Sequence, residues 1–178
     1  MELRLRQYKS CDAENIVSWI KDEQALRKWS SDRFGDFPIT SEDINDKYIN
    51  HNGDCTETDN FYPLVAFDDS GVVGHFILRY TDTEKKTIRV GFVIVDDTKR
   101  GMGYGKEMLK LAIKYAFEIF KAEKVTLGVF ENNLPAYYCY KVAGFKDVDM
   151  DEKEVCYVCG EEWSILELEM TRRDYSLL

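Results

Sequence analysis

TIRVGFVIVDDTKRGMGYGKEMLKLAIKYAFEIF, residues 87–120, is the stretch on which the reading of the fold turns. Thr87 to Val95 is dense in β-branched residues, which suits a strand buried on both faces. From Lys106 to Phe120, the residues Leu109, Ala112, Ile113, Ala116, Phe117 and Phe120 recur at helical spacing. Between them Arg100-Gly-Met-Gly-Tyr-Gly105 supplies three glycines, whose missing side chains let backbone N–H groups converge on an anion at the positive end of a helix. Strand, loop and helix in this order predict a phosphate cradle.

The glycine spacing narrows what that cradle holds. Glycines at 101, 103 and 105 read GxGxG and not the GxGxxG of dinucleotide folds, and Gly105-Lys106 leads into Glu107 where a P-loop needs Ser or Thr. Lys99 and Arg100 add positive charge suited to a pyrophosphate.

Upstream, Tyr62 to Phe67 and Val72 to Thr81 flank the turn Asp68-Asp-Ser-Gly71 as a hairpin, and Thr81 to Lys86 turns the chain into the Thr87 strand. Three consecutive strands form a meander, against the alternating strands and helices of a dinucleotide fold. Leu3 to Tyr8 alternates as a first strand, and helices follow from Asp12, around Glu23 to Trp29, and from Ser41 to about Asn50. Downstream, Lys124 to Phe130 is a strand expected parallel to the Thr87 strand, because a helix crossover joins them. Ala136 to Val142 forms a short aromatic helix stopped by Gly144, and Phe145 to Val148 opens another strand. Glu154 to Val158 and Trp163 to Thr171 close the chain as a hairpin across Cys159-Gly-Glu-Glu.

A chain of 178 residues suits one domain, residues 1–178, with a core that needs neither disulfide nor metal. No apolar run approaches the roughly 20 residues of a membrane helix, and the charged, alternating N-terminus has no signal core, so a cytoplasmic protein is expected. Five scattered cysteines fit reduced thiols; Cys156-Tyr-Val-Cys159 is the one close pair, read as a hairpin arm and not as half of a zinc site. A net charge of -9 argues against a nucleic-acid partner and is compatible with a cationic one. Acids at 32, 36, 42, 43, 46, 54, 57 and 59, against Arg33 and Lys47, are either a solvated face or a surface toward a cationic substrate.

Two segments resemble one family over essentially the whole chain. Arg100, Gly103 and Gly105 match (Q/R)xxGx(G/A), and Asn133-Leu-Pro-Ala136 continuing to Tyr140 and Gly144-Phe145 matches NxxAxxxYxxxGF. Both are signatures of the GNAT N-acetyltransferase superfamily, and the chain looks most like its ribosomal-protein N-acetyltransferase-like branch. The resemblance implies an α/β (α+β) fold: a mixed, mostly antiparallel twisted sheet of about six to seven strands, helices on both faces, and a central parallel pair that splays apart. It implies acetyl-CoA as co-substrate, no metal, an amine acceptor such as a small cationic amine or a protein N-terminus, and direct transfer through a tetrahedral intermediate. Monomer and homodimer both stay open.

The family's roles pass residue by residue. Arg100, Gly101, Met102, Gly103, Tyr104, Gly105 and Lys106 would bind the CoA pyrophosphate through backbone N–H groups. Phe92, Val93, Ile94 and Val95 would pair their backbone with the pantetheine arm, with an N–H near Val93 polarising the thioester carbonyl. Asn133 would bond pantetheine or cap the following helix, and Ala136 lies in the same motif. Tyr140 would protonate the departing thiolate, a task for a phenol that is protonated at neutral pH; packing among Tyr137, Tyr138 and Tyr140 is the plainer reading.

One departure concerns proton removal. The branch often carries glutamate two residues before the Gly-aromatic pair, where this chain has Arg89, and an arginine cannot act as base. His75, Glu131 or an acid of the 32–59 stretch are the candidates, with a water relay as the other route. Loss of the base would also suit a non-catalytic acyl-CoA-binding module, the competing reading.

Overall fold

The computed structural model describes residues 2–178. Its sheet has eight strands: β1 (Arg4–Gln7), β2 (Tyr62–Asp68), β3 (Gly71–Tyr80), β4 (Thr87–Val95), β5 (Lys124–Phe130), β6 (Lys146–Asp147), β7 (Val155–Val158) and β8 (Glu161–Thr171). They run in the order β1-β2-β3-β4-β5-β8-β6, with β7 pairing the far half of β8. Every pairing is antiparallel except β4 with β5. The helices are α1 (Ala13–Trp19), α2 (Glu23–Ser30), α3 (Ser41–Asn45), α4 (Tyr104–Lys114), α5 (Leu134–Val142) and α6 (Arg172–Tyr175). The count exceeds six to seven because a two-residue strand, β6, joins the edge of β8.

Two apolar layers cover the sheet. On one face α4 and α5 bring Met108, Leu109, Ala112, Ile113 and Tyr140 against Phe76, Leu78, Ile88, Val90 and Leu127. On the other, Ile16, Trp19, Leu26, Trp29, Ile44 and Tyr48 from the N-terminal helices and their continuation pack on Ile77 and Ile94. Alternation along β3 divides Phe76 and Leu78 from Ile77, as a pleated strand requires.

The same alternation breaks inside β4. Ile88 and Val90 face the α4 layer, yet Ile94, at the same parity, faces the opposite one, while Val93 and Val95 take over contact with the α4 layer. A bulge explains the switch: Phe92 holds a left-handed φ of 48°, and the register with β3 slips between His75 and Ile77. One extra residue reverses the facing of everything after it.

Both hairpins turn more tightly than the sequence spacing predicts. Strand pairing extends to Asp68 and Gly71, leaving Asp69-Ser70 between β2 and β3. The last hairpin closes through Cys159-Gly160, with φ of 50° and 81°, the positive pair that a two-residue turn matched to strand twist demands. The helix after the cradle continues past Lys114 to Ile119 with a wider, π-type final turn.

Candidate active site

Between β4 and β5 only three residue pairs meet: Thr87 with Lys124, Ile88 with Val125 and Arg89 with Thr126. β4 runs on to Val95 and β5 to Phe130, so the two strands part company after Arg89, leaving one backbone edge of β4 open from Val90 onward. On the helical side this opening meets the cradle. Gly101 and Gly103 adopt φ of 75° and 88°, which favour glycine, and no atom lies within 4 Å of where a Cβ would stand on either. The backbone N–H groups of Arg100, Gly101, Gly103, Tyr104, Gly105 and Lys106 find no acceptor among the described residues; Glu107 N–H is the first of the helix to bond back, to Gly103 O. Unclaimed donors at a helix N-terminus, with empty space over the glycines, fit a diphosphate.

Side chains brace this loop from outside. Tyr104 Oη donates to Asp68 at 3.0 Å, and Lys99 Nζ donates to Ser70 Oγ at 2.7 Å, tying the cradle to the β2–β3 turn. Hydrogen bonds from Ser70, and then from Tyr104, hold the Asp68 carboxyl down to about 2, so it stays an acceptor. Gly105 does different work: a Cβ there would sit 3.3 Å from Cys139 Sγ and 3.8 Å from Val95, so its absence seats α5 against α4 and the end of β4. Tyr104, Val95, Ala136 and Tyr140 share the apolar cluster on this face.

Tyr140 is 7% exposed, edge-on to Phe145, and its hydroxyl bonds to nothing among the described residues. No buried side-chain oxygen or nitrogen among the described residues lacks a partner, so this unbonded hydroxyl is accessible at the surface of the site and open to a bound group. Burial, and secondarily Cys139, raises its pKa and keeps the phenol protonated. Asn133 precedes α5 but its side chain makes no capping bond, which leaves its amide open too.

Two of the proposed base candidates lie elsewhere. His75 is 0% exposed, with Nδ1 donating to Leu64 O at 2.9 Å and Nε2 accepting from Tyr48 Oη at 2.8 Å. Burial lowers its pKa to about 3, so it is neutral and fully engaged. Glu131 follows β5 on the surface, 3.7 Å from Lys153.

On the other side of the splay lies a cleft of about 1000 Å³. Trp29 and Lys28 of α2, Ser31 to Arg33, the 53–57 loop, the end of β3, the middle of β4, and Gly128 to Phe130 line it, with Glu154, Cys156, Ile165 and Glu167 opposite. Trp29 Nε1 donates to Phe92 O at 2.8 Å, and Phe92 packs among Trp29, Phe34 and Tyr48, which fixes the bulge at the cleft wall. Of the acidic stretch, Asp32, Asp54 and Glu57 reach this cleft, and Asp54 is already paired with Lys47. Asp36, Asp43 and Asp46 line a separate hollow with Arg33, Lys47 and His51.

Arg89, unexpected at the base position, grips Glu167 in a two-pronged pair, Nη1 to Oε2 at 2.8 Å and Nη2 to Oε1 at 2.7 Å. That bond raises the guanidinium pKa further and occupies both groups at the cleft floor. Glu167, Arg79, Gly128 and Trp29 were invisible as site residues in the sequence. Gly91 and Gly128, isolated in strands, were the available signals for a bulge and a close approach.

Splayed parallel strands with an anion cradle on one side and a deep cleft on the other define a class of fold that brings two ligands together through a sheet. The acetyltransferase (GNAT) family matches residues 23–145, and the chain belongs to that family. It is 30% identical over 98 residues to the spermine/spermidine N(1)-acetyltransferase of Bacillus subtilis (strain 168), a match spanning 52% of this chain and 64% of that protein's length. The spermidine N-acetyltransferase of Vibrio cholerae, solved with CoA and spermine, superposes with a TM-score of 0.80 at 18% identity over 98% of both chains. An aminoglycoside acetyltransferase, AAC(6')-Ib with coenzyme A, gives 0.75 at 16% identity, covering 99% of this chain and 98% of that one.

Proposed function

We propose that the protein, as one domain over residues 1–178, is an acetyl-CoA-dependent N-acetyltransferase acting on a primary amine. The observation that carries this is the parting of β4 from β5 after Arg89, which opens the cradle side to the cleft side beside the free edge of β4. Acetyl-CoA lies with its diphosphate on the N–H groups of residues 100–106 and its pantetheine along Phe92 to Val95, with Asn133 and Ala136 beside it. The acceptor nitrogen attacks the thioester carbonyl from the cleft. A C–N bond forms, the C–S bond breaks, and Tyr140 donates its hydroxyl proton to the departing sulfur.

Proton removal falls to an acid of the 32–59 stretch that reaches the cleft, Asp32 or Glu57, or to water there. His75 has no free nitrogen, Glu131 stands on the surface with Lys153, and Arg89 and Glu167 neutralise each other. The relatives named above are spermine, spermidine and aminoglycoside acetyltransferases. Those names support a small amine acceptor over a protein N-terminus, and weigh against placement in the ribosomal-protein branch. A cytoplasmic enzyme, monomeric or homodimeric, with no nucleic-acid or membrane partner completes the proposal; the net charge of -9 supports the exclusion of nucleic acid. The test is thiol release from acetyl-CoA across a panel of amines. Binding of acetyl-CoA without turnover on any amine would favour the non-catalytic module instead.

A further inference from the structure

Arg79 of β3 stands directly opposite Arg89 of β4 in an antiparallel pair. Like charges facing each other across two strands are unfavourable, and a chain tolerates such a local conflict where function needs it. Glu167 answers one of the two, because both prongs of its carboxylate are spent on Arg89. Arg79 makes no hydrogen bond and no ion pair among the described residues. It is half-buried, it lines the cleft, and its nitrogens stay open to that space. Burial first, and then Arg89 and Arg33, lowers its pKa.

An unpaired guanidinium in a cleft of an acidic protein is a receptor in search of an oxyanion, since its planar fork matches a carboxylate. The unengaged carboxylates of Glu57 and Glu154 line the same cleft, so a cation has partners there as well. We propose that Arg79 receives a carboxylate of the acceptor, making the preferred substrate class an amine that also carries a carboxylate, in preference to a bare polyamine. This rests on the reading of the cleft as the acceptor site.

Matched pairs that differ by one carboxylate provide the test: ornithine against putrescine and lysine against cadaverine, with wild type, Arg79→Met and Arg79→Lys. The expected result is a kcat/KM about tenfold or more higher for the carboxylated member, the scale of one charge-assisted hydrogen bond. Arg79→Met abolishes that preference by lowering turnover of the carboxylated member alone, and Arg79→Lys retains part of it. Equal use of both members by wild type, or an equal loss on both in Arg79→Met, would overturn the proposal. If no amine is acetylated, the proposed function fails, and calorimetry on the CoA-loaded protein reads Arg79 separately. Lysine binding more tightly than cadaverine, with the difference lost in Arg79→Met, supports the carboxylate site; no difference overturns it. Melting temperature checks the variants' folding.

Discussion

Arg89 on β4 reaches over Gly128 of β5 to hold Glu167 on β8, a bridge across three strands at the floor of the cleft. The bridge depends on the missing side chain, since a Cβ at 128 would lie 2.6 Å from Arg89 Nη2 and 2.9 Å from Glu167 Oε1. Gly128→Ala is therefore expected to destabilise the fold by about 1–3 kcal/mol, the usual cost of overpacking, measured by urea denaturation. An unchanged midpoint would show that the pair shifts aside freely.

The pair itself makes a second prediction. Arg89→Met leaves Glu167 without its partner in a partly enclosed site, whereas Arg89→Met with Glu167→Leu leaves no charge behind. The single variant should be less stable than the double one in the same urea titration. Additive losses would place the pair among the energetically silent ones.

His75 ties stability to pH. Its folded pKa of about 3 lies below the ordinary 6.5, so the unfolded chain binds the extra proton between those values. Its contribution is complete above about pH 6.5 and drains away as pH falls toward 3, by up to about 1.4 kcal/mol per unit. Melting curves of wild type and His75→Gln should diverge least in that acid window and most above it. Parallel curves throughout would contradict the buried, neutral histidine.

Gly103 is the sharpest probe of the cradle. Its φ of 88° strains any other residue although space is open, so Gly103→Ala is expected to lose about 1 kcal/mol of stability and to weaken acetyl-CoA binding by calorimetry. Gly105→Ala should act differently, by pressing on Cys139.

Much of this was legible from local pattern. The β4 boundaries, the helix after it, the parallel partner at Lys124 to Phe130 and the aromatic α5 all follow from periodicity and breakers, which are local properties. What escaped was non-local. That Arg89 faces Glu167, that Arg79 faces Arg89, and that His75 points into an aromatic layer are consequences of register and of a bulge at Phe92, which composition does not encode. The acidic stretch shows the same limit: its residues divide between two hollows according to loop path.

Tyr140→Phe keeps the ring packing and removes the unclaimed hydroxyl. Turnover should fall about tenfold or more, with acetyl-CoA affinity little changed, when steady-state kinetics are set beside calorimetry. Full activity would leave the residue a packing role alone.

The most direct test of the whole account is to incubate the purified protein with acetyl-CoA and primary amines, and to follow CoA thiol release with mass analysis of the amine. The account predicts thiol release that depends on amine and a product heavier by one acetyl group on nitrogen. Tight acetyl-CoA binding with no acetylated amine in any mixture would contradict it.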